Sequence, residues 1–454
     1  MTMKYAHKNL LLYILLSGVL AILMFPAQAN AQTVIRDAEI ESYMKEWFTP
    51  IFNVNNLQPS QVKIIIVQSN DINAFVAGGS NIFFYTGLID KTENPDELIG
   101  VMAHELGHIS GGHLVRGREA MEQASYESII GTLIGIGAAV ATGKTGAAGA
   151  GSLAGSSMAQ RRFLSTARTF ESSADQAALA SLNRANMNPT GLLTFLQKLE
   201  GQEMLPSSQQ SEYVLTHPLT RTRVDTVAAA VEKSSNLNKK LPAEWMDEHA
   251  RMKAKLLGFI NPQNVSWVYD DKDQSIPAQY ARAIADYRQD RIDQALKGID
   301  KLISIEPNNP YFYELKGQML LEFGRVAESL APYQKSVDLK PDSGLIRVAL
   351  AHAQIETAGE DSKKLQKAID NLHIALRDEP RSTQAHRLLA TAYGRQGNDP
   401  MARLHLAEEA LLQQKYGYAK QQADIALKGL DPKSAAALRA NDILTYIKQK
   451  KKDT

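Results

Sequence analysis

Two histidines four residues apart, with a glutamate directly after the first, are the residues of this 454-residue chain whose spacing already defines a chemistry. On a helix of 3.6 residues per turn, His104 and His108 of His104-Glu105-Leu106-Gly107-His108 share one face, so both imidazoles can hold a single metal ion. Glu105 lies about 100° around that helix. It is off the ligand face, where it can take a proton from an activated water instead of binding the metal. The pattern therefore points to metal-assisted hydrolysis, with His104 and His108 as ligands and Glu105 as general base.

The elements around the motif must supply a rigid helix and further ligands. Asn94-Pro95-Asp96-Glu97 is a helix start, with an Asn cap, Pro at the first helical position and Glu three residues after the cap. Leu98, Ile99, Val101, Met102, Leu106 and Ile109 give that helix a broad apolar surface. A hydrolytic zinc site needs three protein ligands and an open position. The metzincin pattern would place a third His six residues after His108, but Leu114 stands there and His113 is one residue out of register, so that pattern fails. Phe170-Glu171-Ser172-Ser173-Ala174-Asp175 offers the alternative of a carboxylate from a later helix. Glu171 and Asp175 lie on one helical face, where Glu171 would be the third ligand and Asp175 would hold the free ring N–H of a ligating His; a solvated acidic face is the alternative reading of the pair.

These residues resemble the gluzincin endopeptidases, the group that includes the HtpX-type and CAAX prenyl proteases. The likeness rests on the zinc helix, the later Glu-x-x-x-Asp, Asn73-Ala74-Phe75 with Gly78-Gly79 and Ile82–Leu88 upstream, and Thr216-His217-Pro218-Leu219 with Arg223 downstream. It spans roughly residues 35 to 230, with its motifs in the family's order. The resemblance implies a zincin-like α+β metallopeptidase domain holding one Zn2+ per chain. It also implies that His217 lies near the metal. There it would donate to the oxyanion with help from Arg223, or take the open metal position as a fourth ligand and keep the enzyme shut, or do both in different states of one loop. A turn histidine preceding a proline is the plainer reading of His217.

Val62–Gln68 reads as a buried strand, Asn70-Asp71 as a turn and Ser80–Thr86 as a second strand. In the family a strand of this kind lines the cleft and pairs with the substrate backbone, a mode of binding nearly independent of sequence. The same residues would otherwise form an ordinary hairpin with a bulge at Gly78-Gly79.

Lys4 and Lys8, an apolar run from Leu10 to Phe25 and Ala29-Asn30-Ala31 read as a cleaved signal peptide over residues 1–31, with an uncleaved anchor as the alternative. The chain has no Cys, which excludes disulfides and a lipidated cysteine. Lys and Arg number 50 against 49 Asp and Glu, a balance that does not favour nucleic acid as a partner. The Lys448–Lys452 cluster reads as a solvated tail. The metallopeptidase domain is expected over 32–262. Within it the Gly/Ala-rich stretch 129–160 forms a lid insertion, either two closely packed helices or a flap over the cleft, and peripheral membrane contact is a weaker reading of the same stretch.

From residue 263 to 454 the chain is expected to form an α-solenoid. Glu306-Pro307 and Lys340-Pro341 are 34 residues apart, the tetratricopeptide period. Tyr313, Gly317, Leu320, Ser329, Tyr333 and Ser336 fill the packing positions of one unit. A third unit ends at Pro380, lengthened by a polar loop over Gly359–Lys364, and His386, Leu389, Ala390, Tyr393 and Gly397 open a fourth. The end of that fourth unit is ambiguous, because Ala402 and Ala419 both suit the start of its second helix. A closing helix is expected over Ala435–Ile447. The fold expected overall is mainly α with a small β-sheet.

A signal peptide plus repeats matches the periplasmic branch of the gluzincins. This implies unfolded or misassembled outer-membrane proteins as substrates, and docking of those substrates or of the outer-membrane β-barrel assembly machinery on the repeats. The competing class is a non-proteolytic repeat chaperone with a structural metal site. Glu105 argues against it, since a structural site needs no base.

Overall fold

The computed structural model describes residues 33–77, 80–113, 115–116 and 167–450. The expected signal peptide, Gly78-Gly79, Leu114, the insertion 129–160 and the end of the lysine cluster lie outside these residues. The first part of the chain comprises β1 (Thr33–Ile35), α1 (Ala38–Val54), β2 (Lys63–Gln68), β3 (Ala74–Ala77), β4 (Asn81–Tyr85), α2 (Thr86–Lys91), α3 (Pro95–Ser110) and α4 (167–184). It continues with α5 (Thr190–Leu199), α6 (Glu212–Thr216), α7 (Arg221–Glu232), α8 (Ala243–Ile260) and the one-turn α9 (Val265–Val268).

The sheet runs β1-β2-β4-β3. β2 and β4 pair in parallel, Lys63 opposite Asn81 through Val67 opposite Tyr85, so they are not a hairpin. β3 pairs antiparallel with β4, Ala74 opposite Phe84, and is an edge strand among the described residues. The sequence reading had only β2 and β4. The short Ala74-Phe75-Val76-Ala77 run carries little strand signal of its own and is held in place by β4. Tyr85 N–H donates to Asn73 O (3.0 Å), which turns the peptide groups of Ala74 and Val76 outward from the sheet.

α3 starts as its cap residues dictate. Asn94 Oδ1 accepts from Glu97 N–H at 3.1 Å, and Pro95 occupies the first helical position. The Glu97 side chain accepts from Glu93 N–H (3.0 Å) and from Lys198 Nζ (2.8 Å), tying α3 to α5. The sheet, α1 and α3 enclose a core in which Trp47, Phe48, Phe52, Phe84, Leu98 and Met102 are buried.

The remaining chain folds into antiparallel helix pairs: α10 (Ile276–Arg288) with α11 (Ile292–Ile305), α12 (Pro310–Glu322) with α13 (Val326–Leu339), α14 (Gly344–Ala358) with α15 (Ser362–Asp378), and α16 (Thr383–Arg395) with α17 (Asp399–Leu412). Two further helices, α18 (Tyr416–Leu427) and α19 (Ala435–Lys450), close the stack. Ala402 and Ala419 thus each sit in a helix, which explains why small residues alone left the end of the fourth unit ambiguous. The third unit's extra residues are in its two longer helices rather than in a polar loop, since only 359–361 separate them. Gly317 lies against the Tyr333 ring, where an added Cβ would come within 2.7 Å, so small and aromatic residues interlock as the repeat requires.

The arm is fixed to the first part by shared core and by buried polar contacts. Tyr311, Tyr333, Ile346 and Leu350 belong to the same apolar cluster as Trp47 and Phe48. Glu39 of α1 accepts from Tyr43 (3.0 Å) and Tyr280 (2.8 Å) hydroxyls and pairs with Lys255 at 3.0 Å. Arg251 holds both carboxylate oxygens of Glu306 at 2.6 Å. Among the described residues no helix is long and apolar enough to cross a membrane.

Candidate metal centre and cleft

α3 carries His104 and His108 on one face, with their Nε2 atoms 3.0 Å apart. α4 crosses α3 at Gly107, where a Cβ would stand 2.7 Å from the Ala174 carbonyl oxygen, so only glycine permits this approach. The crossing brings Glu171 onto the same point: Oε2 is 3.3 Å from His104 Nε2 and Oε1 is 3.3 Å from His108 Nε2. One turn on, Asp175 Oδ1 accepts from His104 Nδ1–H at 2.9 Å. His217, at the C-cap of α6, puts Nδ1 3.3 Å from both Glu171 oxygens and donates through Nε2–H to Ala74 O at 3.1 Å. The donor atoms of His104, His108, Glu171 and His217 all lie within 4.8 Å of one another.

Imidazole nitrogens and one carboxylate are the donor set that borderline divalent ions such as zinc prefer, so these residues fit a metal. Their protonation in the metal-free protein follows from burial and charge. Burial alone would lower His104, but Asp175 and then Glu171 outweigh it and raise the ring to about 10. His108 is pushed down to about 2 by burial and by the neighbouring His104. Burial works against the Glu171 carboxylate, yet His217 and His104 hold it well below its usual range.

Glu105 is fully buried, and neither of its oxygens makes a hydrogen bond; the nearest charged partner is His217 Nε2 at 3.5 Å from Oε1. Burial raises its carboxyl above the ordinary value. A carboxyl tuned upward by desolvation and lying beside a metal site is suited to accept and return a proton.

The sequence reading set Arg223 beside the oxyanion, whereas the structure buries it behind the carboxylates, outside the cleft lining. Its Nε and Nη2 grip Asp175 at 2.8 and 2.9 Å, and Nη1 reaches Glu171 Oε2 at 3.0 Å and Pro218 O at 2.8 Å. The cleft itself encloses about 240 Å3, lined by Phe75 and Val76 of β3, by Glu105 and His108, and by Phe170 and His217. β3 therefore flanks the site, while β4, expected along the cleft, lies inside the sheet. A cavity of about 700 Å3 in the arm, near Arg381, Glu408 and Arg439, carries no comparable constellation.

Sequence reasoning gave no site role to Ala74, Tyr213 or His113. The Tyr213 ring packs 4.6 Å from His217, and its backbone N–H donates to Ile72 O at 2.9 Å. Only the nearness of Asn73-Ala74 to the zinc helix in the resemblance hinted at Ala74.

Residues 35–231 match the model of peptidase family M48, and residues 280–344 that of the tetratricopeptide repeat. The chain is 26% identical over 332 residues to the beta-barrel assembly-enhancing protease of Escherichia coli (strain K12), covering 71% of this chain and 66% of that one. The protein of the same name from Yersinia pestis is 27% identical over 356 residues, 76% of this chain and 70% of the other. Metalloprotease LoiP of Escherichia coli (strain K12) is 28% identical over 175 residues, 38% of this chain and 64% of that protein. The chain thus spans about two thirds of the length of the first curated relatives it matches. Among solved structures, the crystal structure of MamA is matched at a TM-score of 0.29 and 20% identity, over 38% of this chain and 98% of the other.

Proposed function

We infer that this chain, whose residues 35–231 match the model of peptidase family M48 and whose residues 280–344 match that of the tetratricopeptide repeat, is a zinc-dependent endopeptidase of the bacterial periplasm. Its proposed substrates are unfolded or misassembled outer-membrane proteins. The arm would dock them, or the assembly machinery that handles them, on the kind of concave surface that stacked helix pairs build. The names of the relatives, beta-barrel assembly-enhancing protease, support proteolysis tied to β-barrel assembly.

The observation that carries the reading is the convergence of His104, His108, Glu171 and His217 beside a buried Glu105 whose oxygens make no hydrogen bond. When bound, zinc supplies Lewis-acid polarisation of the scissile carbonyl and a more acidic water. His104, His108 and Glu171 would hold it, with Asp175 fixing the tautomer of His104. Glu105 accepts the proton of the attacking water and returns it to the leaving amine. An extended substrate adds to the outward edge of β3, where the peptide groups of Ala74 and Val76 face away from β4 toward a chain lying along the cleft. Folded proteins are poor substrates because their own edges are protected.

His217 closes this arrangement. Its Nδ1 joins the donor group, and its Nε2–H takes the Ala74 carbonyl that a substrate backbone would otherwise pair with. Of the two roles open to His217 near a metal, the shut loop is the one this geometry supports.

The test is cleavage of casein and of an unfolded outer-membrane protein by the wild type and by Glu105→Gln, with metal content measured for both. The wild type is expected to cleave, to stop when chelator removes its metal, and to recover when zinc is restored. Glu105→Gln is expected to keep the metal and lose the cleavage. Two proteins that both bind metal, with neither cleaving, would transfer the chain to the competing class, a repeat chaperone with a structural metal.

A further inference from the structure

Directly after α3 the chain runs Gly111-Gly112-His113, and it turns back on itself. Gly111 caps the helix, and Gly112 adopts a left-handed φ of +63°, a conformation that favours glycine. The reversal lays the His113 ring over Gly111, where a Cβ would stand only 2.3 Å from His113 Nε2, so the first glycine makes room for the ring. On its other side the ring stacks flat on Phe170, centroids 4.5 Å apart and planes 11° from parallel. His113 is buried, and its Nδ1 lies 3.0 Å from Nδ1 of His108.

We propose that His113 is a positioning residue for the metal ligand His108, fixing its tautomer and ring angle from the side opposite the metal. The inference rests on the metal-site reading given above. His108 turns Nε2 toward Glu171 and His104, so a metal there requires the lone pair on Nε2 and the proton on Nδ1. That Nδ1–H donates to Nδ1 of His113, the acceptor within its reach. The two ligands of one helix are thereby braced in different ways. His104 leans on Asp175, a carboxylate locked by Arg223, whereas His108 leans on an imidazole locked by Phe170 and the two glycines. Phe170 immediately precedes Glu171, so the stack also ties the second histidine to the helix that carries the carboxylate ligand.

Groups in this position behind a metal ligand govern metal affinity by about 10- to 100-fold. The experiment uses the full chain, wild type and His113→Phe, which keeps the ring stack but removes the acceptor. Zinc affinity is measured by chelator competition at fixed pH, alongside the visible spectrum of the cobalt-loaded proteins and the melting of the metal-free ones. His113→Phe is expected to melt normally without metal, to bind zinc about 10- to 100-fold more weakly, and to show a shifted cobalt spectrum. His113→Asn, whose side-chain oxygen can stand where Nδ1 stood, is expected to recover most of the affinity. Wild-type affinity and spectrum in His113→Phe would overturn the proposal. If the Phe variant does not fold, His113→Asn is compared with His113→Leu, and equal affinities for those two overturn it. A wild type that binds no zinc would instead sink the metal reading on which the proposal rests.

Discussion

Arg223 meets Asp175 as a two-pronged fork, Nε to Oδ2 at 2.8 Å and Nη2 to Oδ1 at 2.9 Å, with both side chains buried. The same Asp175 oxygen that takes Nη2 also takes Nδ1–H of His104. Orientation is therefore passed from α7 through α4 to His104 on α3. Burial alone would raise the Asp175 carboxyl, but His104 and Arg223 hold it below its ordinary value, so it remains a charged acceptor.

Removing the guanidinium leaves two buried carboxylates, Asp175 and Glu171, short of their cation. Breaking one side of a buried pair costs about 3–5 kcal/mol. Arg223→Met is expected to lose stability of that order in denaturant unfolding of the metal-free protein, and to bind zinc more weakly. Arg223→Lys restores the charge without the fork and should fall between. If Arg223→Met unfolds at the wild-type denaturant concentration, the fork is dispensable.

Gly107→Ala tests the crossing of α3 and α4. Alanine favours a helix over glycine by up to about 1 kcal/mol, but its Cβ would sit 2.7 Å from Ala174 O and 2.9 Å from Ala174 Cα. Those are backbone atoms and cannot swing away, so the helices must part. Overpacking of this kind costs about 1–3 kcal/mol and moves Glu171 away from the histidines. Lower stability together with weaker zinc binding is the expected pair of results. A stabilised variant with unchanged affinity would show that the contact yields.

Local signals in the sequence carried the start of α3 and the spans of β2 and β4, but not the packing around the site. Asn94 and Pro95 set the start of α3 because capping is decided within a few residues, and the helix runs from Pro95 as those residues require. The spans expected for β2 and β4 agree with the structure to within a residue at each end, since β-branched and aromatic runs mark strands locally. β3 was not legible, because four residues gain their strand geometry only by pairing with β4. The side of the metal on which Arg223 lies was equally hidden: six residues after His217 fixes proximity, while the packing of α7 against α4 fixes direction. His113 reaches His108 only through the left-handed turn at Gly112, and a ligand search by helical spacing passes over such a turn.

His217→Ala separates the two roles open to that residue. Loss of the ring withdraws one donor from the metal group and frees the Ala74 carbonyl on the edge of β3. If His217 shuts the site, kcat/KM on an unfolded protein substrate rises while one zinc per chain is retained by His104, His108 and Glu171. A drop in kcat at unchanged zinc content would assign it to the oxyanion instead.

His249 of α8 provides a pH test remote from the metal centre. Its Nε2 is bonded to Thr92 Oγ1 at 2.9 Å, and the ring lies 6.3 Å from that of Trp47. Burial, with Lys253 and Lys198 nearby, pushes the imidazole down from 6.5 to about 3. Above pH 6.5 neither the folded nor the unfolded chain carries this proton, so the stability is fully present there. As pH falls, the unfolded state binds the proton first, and stability drains away until the folded pKa near 3 is reached. Between pH 7 and pH 5 this one group should remove about 2 kcal/mol. His249→Gln keeps a polar partner for Thr92 but does not titrate. In urea unfolding at the two pH values, the wild type is therefore expected to lose about 2 kcal/mol more than the variant on acidification, while the other histidines contribute equally to both. Equal losses would mean that His249 is protonated in the folded protein, and that its burial is not what the contact with Thr92 indicates.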